Sequence, residues 1–217
     1  MPFVCKFDFL NASALCSFYA PPKTDTSALQ TVFNHMANDL TTWDNLNQVA
    51  YALATFKWET ANTFAPIHEL GAPSYFDKYN AGTPIGQRLG NTQPGDGFLF
   101  RGRGYVQITG RNNYAKFSSH VGEDLVSNPD LALRPDVAYK IAAMGMKNGM
   151  FTGRALKDFL PTGKPPDFFN ARTIINGHDH AADIAAIAQK FVTMLSRPAL
   201  PVTPATNVPT TAMPKSA

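Results

Sequence analysis

The chain has 217 residues, which is enough for one domain of ordinary size with a sizeable core. Hydrophobic residues make up 44% of it and charged residues only 16%, so the composition favours a packed globule and excludes a largely disordered chain. A net charge of +3 falls far short of the dense Lys/Arg surface that nucleic-acid binding requires, and we expect no nucleic-acid partner. The mild excess of positive charge would still help the chain approach a polyanionic surface.

The beginning of the chain carries few clear signals, and residues 1–24 receive no structural prediction. Cys5 and Cys16 could close a small disulfide loop, but a pair of cysteines is too few for a disulfide-built scaffold. Charged and polar residues interrupt the apolar character of residues 1–20, so we expect no signal peptide. No run approaches the roughly 18 apolar residues of a membrane span, so we expect no span either.

Helical periodicity recurs along the middle of the chain. Thr26 or Ser27 can cap a first helix, and the apolar residues expected to share one of its faces are Leu29, Val32, Phe33, Met36 and Leu40. A second apolar run leads from 46 to 59. Further helices are predicted at 111–120, 134–150 and 181–195. Together they predict one mainly helical domain at 25–196.

Glycine and proline mark the connecting segments. Residues 71–97 are predicted to form a long irregular loop, which would be a lid or a cleft wall. The aromatic and β-branched content of residues 98–110 predicts an extended segment, and Gly102 and Gly104 indicate a close approach of backbone to another part of the protein. Residues 197–217 contain five prolines and are predicted to be a flexible tail or linker.

A pair of acidic residues stands out because their surroundings differ. Glu59 is expected at the end of the second helix among aromatic residues such as Phe56 and Trp58, and desolvation raises the pKa of a carboxyl, as a general acid requires. Pro66 stops helical geometry, so Glu69 should lie in a wetter loop and suit a general base. Spacing alone favours the plainer alternative of an ordinary helix-end glutamate and a solvated loop residue.

Several motifs resemble the family 19 glycoside hydrolases, the group that contains plant-type chitinases and many phage endolysins. Residues 102–114, GRGYVQITGRNNY, resemble the family signature. Residues 58–60, Trp-Glu-Thr, resemble its His-Glu-Thr motif, and Glu69 falls where the endolysin branch has its second acid. Residues 173–177 resemble its Ile-Asn-Gly-Gly segment. The motifs occur in the family's order and cover roughly residues 44–195.

The resemblance implies a mainly α, lysozyme-like α+β fold with two helical lobes around a substrate cleft and a small extended segment. It also implies hydrolysis with inversion at the anomeric carbon. Glu59 would protonate the leaving oxygen while Glu69 activates a water, and an inverting pair needs about 6.5–9.5 Å between its carboxyls to hold that water. Thr109 matches a family residue that helps to hold the water.

The resemblance further implies a set of sugar contacts. Gln107 and Asn113 match cleft residues that bond to the acetamido and hydroxyl groups, and Asn176 matches an asparagine that reaches in from the far side. Tyr105 and Arg103 are additional substrate-binding candidates. Tyr105 could stack on a sugar ring or pack in the core, and Arg103 could equally be a structural ion-pair partner.

Departures from the plant pattern favour the phage and bacterial cell-wall branch. Trp58 replaces the histidine of His-Glu-Thr, Phe100-Arg101 replaces the Tyr-Tyr before Gly-Arg-Gly, and Tyr105 replaces a proline. His178 interrupts the Ile-Asn-Gly-Gly segment, and two cysteines are too few for the several disulfides of plant enzymes.

The leading hypothesis is an endolysin-like muramidase that cuts β-1,4 bonds of peptidoglycan. We expect a monomer without a cofactor, made in the cytoplasm and acting on the cell wall after release or secretion. The alternative is a chitinase acting on N-acetylglucosamine polymers, since the motifs serve both substrates. A protein of another class, a glycan-binding module without catalysis, is disfavoured by the presence of two unlike acids.

Other constellations are weaker. Residues 178–180, His-Asp-His, could bind a metal, but they lack a distant third ligand motif and fit a polar helix start better, so we predict no metal. Cys5 or Cys16 with His35 could suggest a cysteine peptidase, yet neither cysteine lies in a nucleophile motif.

Overall fold

A computed structural model describes residues 26–196. The predictions for residues 1–24, for the two cysteines and for the tail at 197–217 therefore lie outside the described residues. The α-helices are α1 (Ser27–Asn38), α2 (Leu46–Glu59), α3 (Pro84–Leu89), α4 (Asp96–Leu99), α5 (Arg111–Val121), α6 (Pro135–Asn148), α7 (Leu156–Phe159), α8 (Phe168–Ala171) and α9 (Ala181–Leu195). Shorter 3₁₀ helices cover Pro73–Tyr79, Pro129–Leu133 and Arg172–Ile174, and the strands are β1 (Ile67–His68) and β2 (Arg103–Gly104).

Helix α2 is the centre of the domain. Every residue from Gln48 to Phe56 is buried, because small alanines alternate with large apolar side chains and other elements surround the helix. The Asn45 side chain accepts a hydrogen bond from the Gln48 amide and caps its start. Helix α9 packs along α2. The second and last predicted helices are thus confirmed, and they form the base from which Glu59 projects.

Helix α1 confirms most of the predicted apolar face. Leu29, Val32, Phe33 and Met36 are buried. Leu40 is not part of this face, since the helix ends at Asn38 and Leu40 is 53% exposed. The helices predicted at 111–120 and 134–150 correspond to α5 and α6, and Gly149 ends α6 in the left-handed conformation with φ of +67°.

The prediction of an irregular loop at 71–97 is wrong. This segment contains the 3₁₀ helix Pro73–Tyr79, helix α3 and the start of α4. Prolines at 73 and 84 occupy first-turn positions, where a missing N–H costs nothing, and the Thr83 hydroxyl caps α3 by accepting from the Gly86 amide at 2.9 Å. Proline and glycine here start and end short helices.

The sheet has one antiparallel pair of strands, with Ile67 opposite Gly104 and His68 opposite Arg103. The extended segment predicted at 98–110 is therefore largely wrong, because α4 reaches Leu99 and regular pairing covers only β2. Gly104 has φ of +91°, which turns the chain so that Arg103 also bridges Ile108. We call residues 102–109 the hairpin.

The described part of the chain is mainly helical with little strand, and the predicted fold class is confirmed. Between residues 26 and 196, no helix is long and apolar enough to cross a membrane.

Candidate active site

Glu59 is the last residue of α2, and its side chain is 18% exposed. Its Oε1 accepts a hydrogen bond from the Arg172 guanidinium at 2.5 Å. The partial burial agrees with the sequence prediction, but the arginine was not foreseen. Glu59 is thus a partly buried carboxyl in an ion pair.

Arg172 is fixed from several sides and is only 3% exposed. Its Nε donates to the Asp179 carbonyl at 3.1 Å, and it also contacts the Asp179 carboxylate at 3.3 Å. Burial alone would lower the pKa of Arg172, but the charges and hydrogen bonds of Glu59 and Asp179 raise it above its ordinary value. The Tyr51 hydroxyl of α2 donates to the Ala171 carbonyl at 2.8 Å and ties this segment to the helix that carries Glu59.

The loop after Glu59 is tightly bonded. The Thr60 hydroxyl donates to the Phe56 carbonyl at 2.7 Å and accepts from the Phe64 amide at 2.9 Å. Ala61, Asn62 and Phe64 have positive φ values of 50°, 70° and 54°. Such backbone conformations are costly for non-glycine residues other than Asn, and they persist where the surroundings over-determine them. Thr60 therefore fixes the start of the segment that connects Glu59 to Glu69.

Glu69 follows β1 directly and is held by the hairpin. Its amide donates to the Gly102 carbonyl at 2.8 Å, and its Oε2 accepts from the Gly102 amide at 3.3 Å. Its Oε1 accepts from the Tyr79 hydroxyl at 3.1 Å. Burial and the neighbouring Glu69 carboxylate both raise the pKa of Tyr79, so the phenol stays protonated as a donor. Sequence reasoning missed Tyr79, whose place in a supposed loop gave no signal.

Gly102 confirms the predicted close approach of backbone. A Cβ at this position would lie 2.9 Å from the Gln107 Oε1 and 3.3 Å from the Glu69 Cβ. The absence of a side chain lets the hairpin backbone reach the Glu69 carboxylate.

Arg103 and Tyr105 correct the predicted set of substrate contacts, since their side chains are 3% and 1% exposed. Arg103 forms an ion pair with Asp130 at 2.8 Å, as the structural alternative predicted. Tyr105 stacks on Phe56 of α2 at 4.8 Å between ring centroids. Burial raises the pKa of the Tyr105 hydroxyl. Both side chains hold the hairpin from the buried side. The stack of Tyr105 on Phe56 connects the hairpin to the helix that ends in Glu59.

A chain of hydrogen bonds connects Gln107, Thr109 and Asn113. The Gln107 side-chain amide donates to the Ile67 and Gly104 carbonyls, each at 2.9 Å. The Thr109 hydroxyl donates to the Gln107 carbonyl at 3.0 Å, and the Asn113 side chain donates to the Thr109 carbonyl at 2.8 Å. The structure brings these partly exposed side chains together around the hairpin that holds Glu69. Their roles toward water and sugar stay predictions.

Asn176 is exposed and lies on the Glu59 side of the site. Its amide donates to the Arg172 carbonyl at 3.1 Å, so the Ile-Asn-Gly motif and the partner of Glu59 belong to one turn. Only the arginine inside residues 171–176 could have indicated this contact from sequence.

Residues 178–180 have other partners in the structure. His178 bonds to the Asn170 side chain at 3.0 Å, and Asp179 pairs with Arg172. The His180 ring lies on Trp58 at 4.7 Å between centroids and precedes α9. Over residues 26–196, no group of three or more His, Cys, Asp or Glu side chains is arranged to hold a metal ion.

Comparison with known proteins places this geometry in context. No family model matches the chain. A 59-residue segment is 46% identical to a glycosyl hydrolase family 19 domain-containing protein of Haemophilus influenzae, covering 24% of this chain and 30% of that protein. A 56-residue segment is 48% identical to the acidic 27 kDa endochitinase of Solanum lycopersicum, covering 25% of this chain and 22% of that one. The matches thus span less than a third of these relatives.

Solved structures extend the likeness over most of the chain. Chitinase C of Streptomyces griseus matches with a TM-score of 0.60 and 17% identity, over 87% of this chain and 78% of that one. A bacterial family 19 chitinase matches with a TM-score of 0.61 and 21% identity, over 89% and 96% of the two chains. The predicted resemblance to the family 19 glycoside hydrolases is confirmed. At these identities the structural matches show the fold alone. The link to family 19 in sequence rests on the short matching segments.

Proposed function

We propose that this family 19 protein is an endolysin-like muramidase that cleaves β-1,4 bonds of peptidoglycan with inversion. The proposal depends chiefly on one observation, which is that Glu59 and Glu69 are held by different partners. Glu59 ends a buried helix beside Arg172, and Glu69 is held by the neutral donors Tyr79 and Gly102. Acid and base work in one site needs two carboxyls in different environments, and the different partners of Glu59 and Glu69 support this proposal.

The contacts suggest which carboxylate oxygens give and take the protons. Arg172 occupies the Glu59 Oε1, so we assign proton donation to the leaving glycosidic oxygen to Oε2. The Glu69 carboxylate takes a proton from the attacking water, and its two donors fix its orientation for that task. Thr109 is assigned to the water because its hydroxyl lies on the hairpin that holds Glu69.

Two features of the sequence favour peptidoglycan as the substrate. The departures at Trp58, Arg101 and Tyr105 lead away from the plant enzymes, and the net charge of +3 suits a polyanionic wall. Chitinase activity is the second candidate, favoured by the endochitinases of tomato and of Nicotiana tabacum among the relatives, the latter 46% identical over 44 residues.

The test offers purified bacterial sacculi and colloidal chitin to the same enzyme preparation. New reducing ends are reduced with borohydride and identified by mass spectrometry. A reduced N-acetylmuramic acid end supports the muramidase, whereas turnover of chitin alone replaces it with the chitinase. Binding to sacculi without turnover, unchanged in Glu59→Gln, would identify a binding module.

Location and assembly complete the proposal. The protein acts on the cell wall after release or secretion, which fractionation of producing cells would test. It works as a monomer, which sedimentation at assay concentration would test.

A further inference from the structure

A wall of aromatic rings and cations lies beside Glu69. It consists of Tyr75, Lys78, Phe98 and Arg101, which we call the cation wall. The Lys78 Nζ is 3.4 Å from the Tyr75 ring centroid, and the Arg101 guanidinium carbon is 4.2 Å from that of Phe98. Each positive charge is thus held over an aromatic face, where the ring quadrupole attracts it.

Buried contacts join the two halves of the cation wall to each other. The fully buried Phe76 touches Tyr75 at 5.1 Å and Phe98 at 5.5 Å between centroids. Tyr75 and Phe98 themselves remain 47% and 41% exposed as whole residues. The wall is therefore an ordered surface that faces solvent.

The cation wall also adjoins the two residues that donate to the Glu69 carboxylate. Lys78 lies 4.8 Å from the ring of Tyr79, whose hydroxyl donates to the Glu69 carboxylate. Arg101 directly precedes Gly102, whose amide donates to the same carboxylate. A ligand group on this wall would consequently be close to the attacking water.

The cations of the cation wall form no ion pair in the described part of the protein, although the more distant charges of Asp130 and Glu69 act on Arg101. Other arginines near the site are paired: Arg103 with Asp130, Arg111 with Asp96 and Arg172 with Glu59. Neither Lys78 nor Arg101 forms an ion pair within residues 26–196, and Arg101 is steadied by donating to the Phe98 carbonyl at 2.9 Å. A polymer of N-acetylglucosamine is neutral and gives these cations nothing to pair with.

We infer that Lys78 and Arg101 bind a carboxylate of the glycan next to the scissile bond and so select anionic strands over chitin. This inference rests on the proposed muramidase function. Two sources share the chemistry: the lactyl carboxylate of N-acetylmuramic acid in strands without peptide, and the carboxylates of the stem peptide in intact wall. The exposed rings provide apolar surface for the sugar while the cations take the anionic group.

The experiment compares one variant on three substrates. Chitin oligosaccharides carry no carboxylate, amidase-treated glycan strands carry free lactyl groups, and intact sacculi carry stem peptides. Arg101→Gln should lower kcat/KM on the carboxylate-bearing substrate by about fivefold, the size expected for a partly exposed pair, and leave chitin oligosaccharides unchanged. A loss on treated strands identifies the lactyl group, and a loss confined to sacculi identifies the peptide.

Companion variants keep the test independent of folding. Lys78→Gln removes an exposed charge without a buried contact and should act in the same direction as Arg101→Gln. Lys157→Gln removes an exposed lysine from α7 and should change no substrate. The preference of the wild type for anionic strands should also weaken with added salt, and that dependence should be smaller in Arg101→Gln.

The results distinguish failure of the proposed function from failure of the inference. If the wild type cleaves chitin but neither sacculi nor strands, the proposed function fails. If the wild type cleaves wall substrates and Arg101→Gln and Lys78→Gln lower all three substrates equally, or none, the cation wall does not recognise a carboxylate and the inference is overturned.

Discussion

The surroundings of the two acids differ in kind. Glu59 is compensated by a full positive charge from Arg172, more than a hundred residues along the chain, in a pocket that leaves it 18% exposed. Glu69 is held by an amide and a phenol, both neutral, at the end of β1 beside the hairpin. One carboxyl depends on a distant ion pair, and the other depends on local backbone geometry.

This contrast separates two ways of tuning a carboxyl. A buried guanidinium holds a carboxylate firmly in position, but its own charge must be compensated. Here Asp179 contributes to that compensation. Neutral donors fix position with less influence on charge and can adjust as the water loses its proton. We therefore expect loss of the Arg172 partner of Glu59 to lower mainly the free energy of unfolding. Displacement of the hairpin that holds Glu69 should lower mainly kcat.

The largest expected effect comes from removing either acid. Glu59→Ala and Glu69→Ala should each reduce turnover of wall glycan by about 10² to 10⁴-fold, because acid or base assistance contributes about that much. Initial rates on sacculi measure the loss. A folded Glu59→Ala variant with nearly wild-type rates on a substrate whose leaving group needs protonation would contradict its role.

Azide sharpens the contrast between the acids. A small anion can replace the activated water but cannot donate a proton, so azide should partly restore Glu69→Ala on a substrate with a good leaving group. The product should be a glycosyl azide of inverted configuration, identified by NMR. Rescue confined to Glu59→Ala, or retained configuration in the wild-type product, would overturn the assignment and point to a covalent intermediate.

Arg172 tests the support of Glu59. Arg172→Met should lower the free energy of unfolding by about 2–3 kcal/mol, because it leaves a partly buried carboxylate without its partner. Urea unfolding followed by circular dichroism measures this. Arg134→Met is the matched control, since Arg134 also contacts two carboxylates, Glu123 and Asp136, but at the surface, and its unfolding midpoint should hardly move. Equal unfolding midpoints for both variants would show that the ion pair of Arg172 with Glu59 stabilises the fold no more than a surface ion pair does.

The long helices could be predicted because local information specifies them. The buried run from Gln48 to Phe56 and the glycine that ends α6 are visible in the sequence itself. The segment 71–97 was misjudged because prolines and glycines occur both in loops and at the ends of short helices, and packing of Phe76 decides between them here.

The candidate site was predictable in its acids but not in their partners. Glu59 and Glu69 follow from motif order, and their roles stay predictions. Arg172 and Tyr79 are brought in by tertiary packing, which no local pattern encodes. Tyr105 illustrates the opposite error, because a tyrosine beside a sugar motif suggests stacking on substrate, whereas the stack on Phe56 places it in the core.

A smaller effect is expected at the hairpin that supports Glu69. Gly102→Ala should lower kcat by about tenfold, because its Cβ would press on Gln107 and Glu69 and a displacement of the base by part of an ångström is enough for such a loss. Gly122→Ala is the control: it has φ of +76° but open space, so it should cost about 1 kcal/mol of stability and leave kcat alone. The reverse pattern, with activity lost at Gly122 and kept at Gly102, would contradict the positional role of the hairpin.

The smallest effect is expected behind the hairpin, where two buried tyrosines make opposite use of their hydroxyls. The Tyr105 hydroxyl has no hydrogen-bond partner within residues 26–196, while the Tyr114 hydroxyl donates to the Arg101 carbonyl at 2.7 Å and accepts from Arg103 at 3.0 Å. Tyr114→Phe should therefore lower the free energy of unfolding by about 1–2 kcal/mol, whereas Tyr105→Phe should leave it unchanged or raise it by up to about 1 kcal/mol. Because Tyr105→Phe keeps the stacked ring, kcat on wall glycan should also be unchanged, as measured in the same preparation. A loss of turnover in Tyr105→Phe at full stability would show that the hydroxyl reaches the substrate after all and would return Tyr105 to the binding surface.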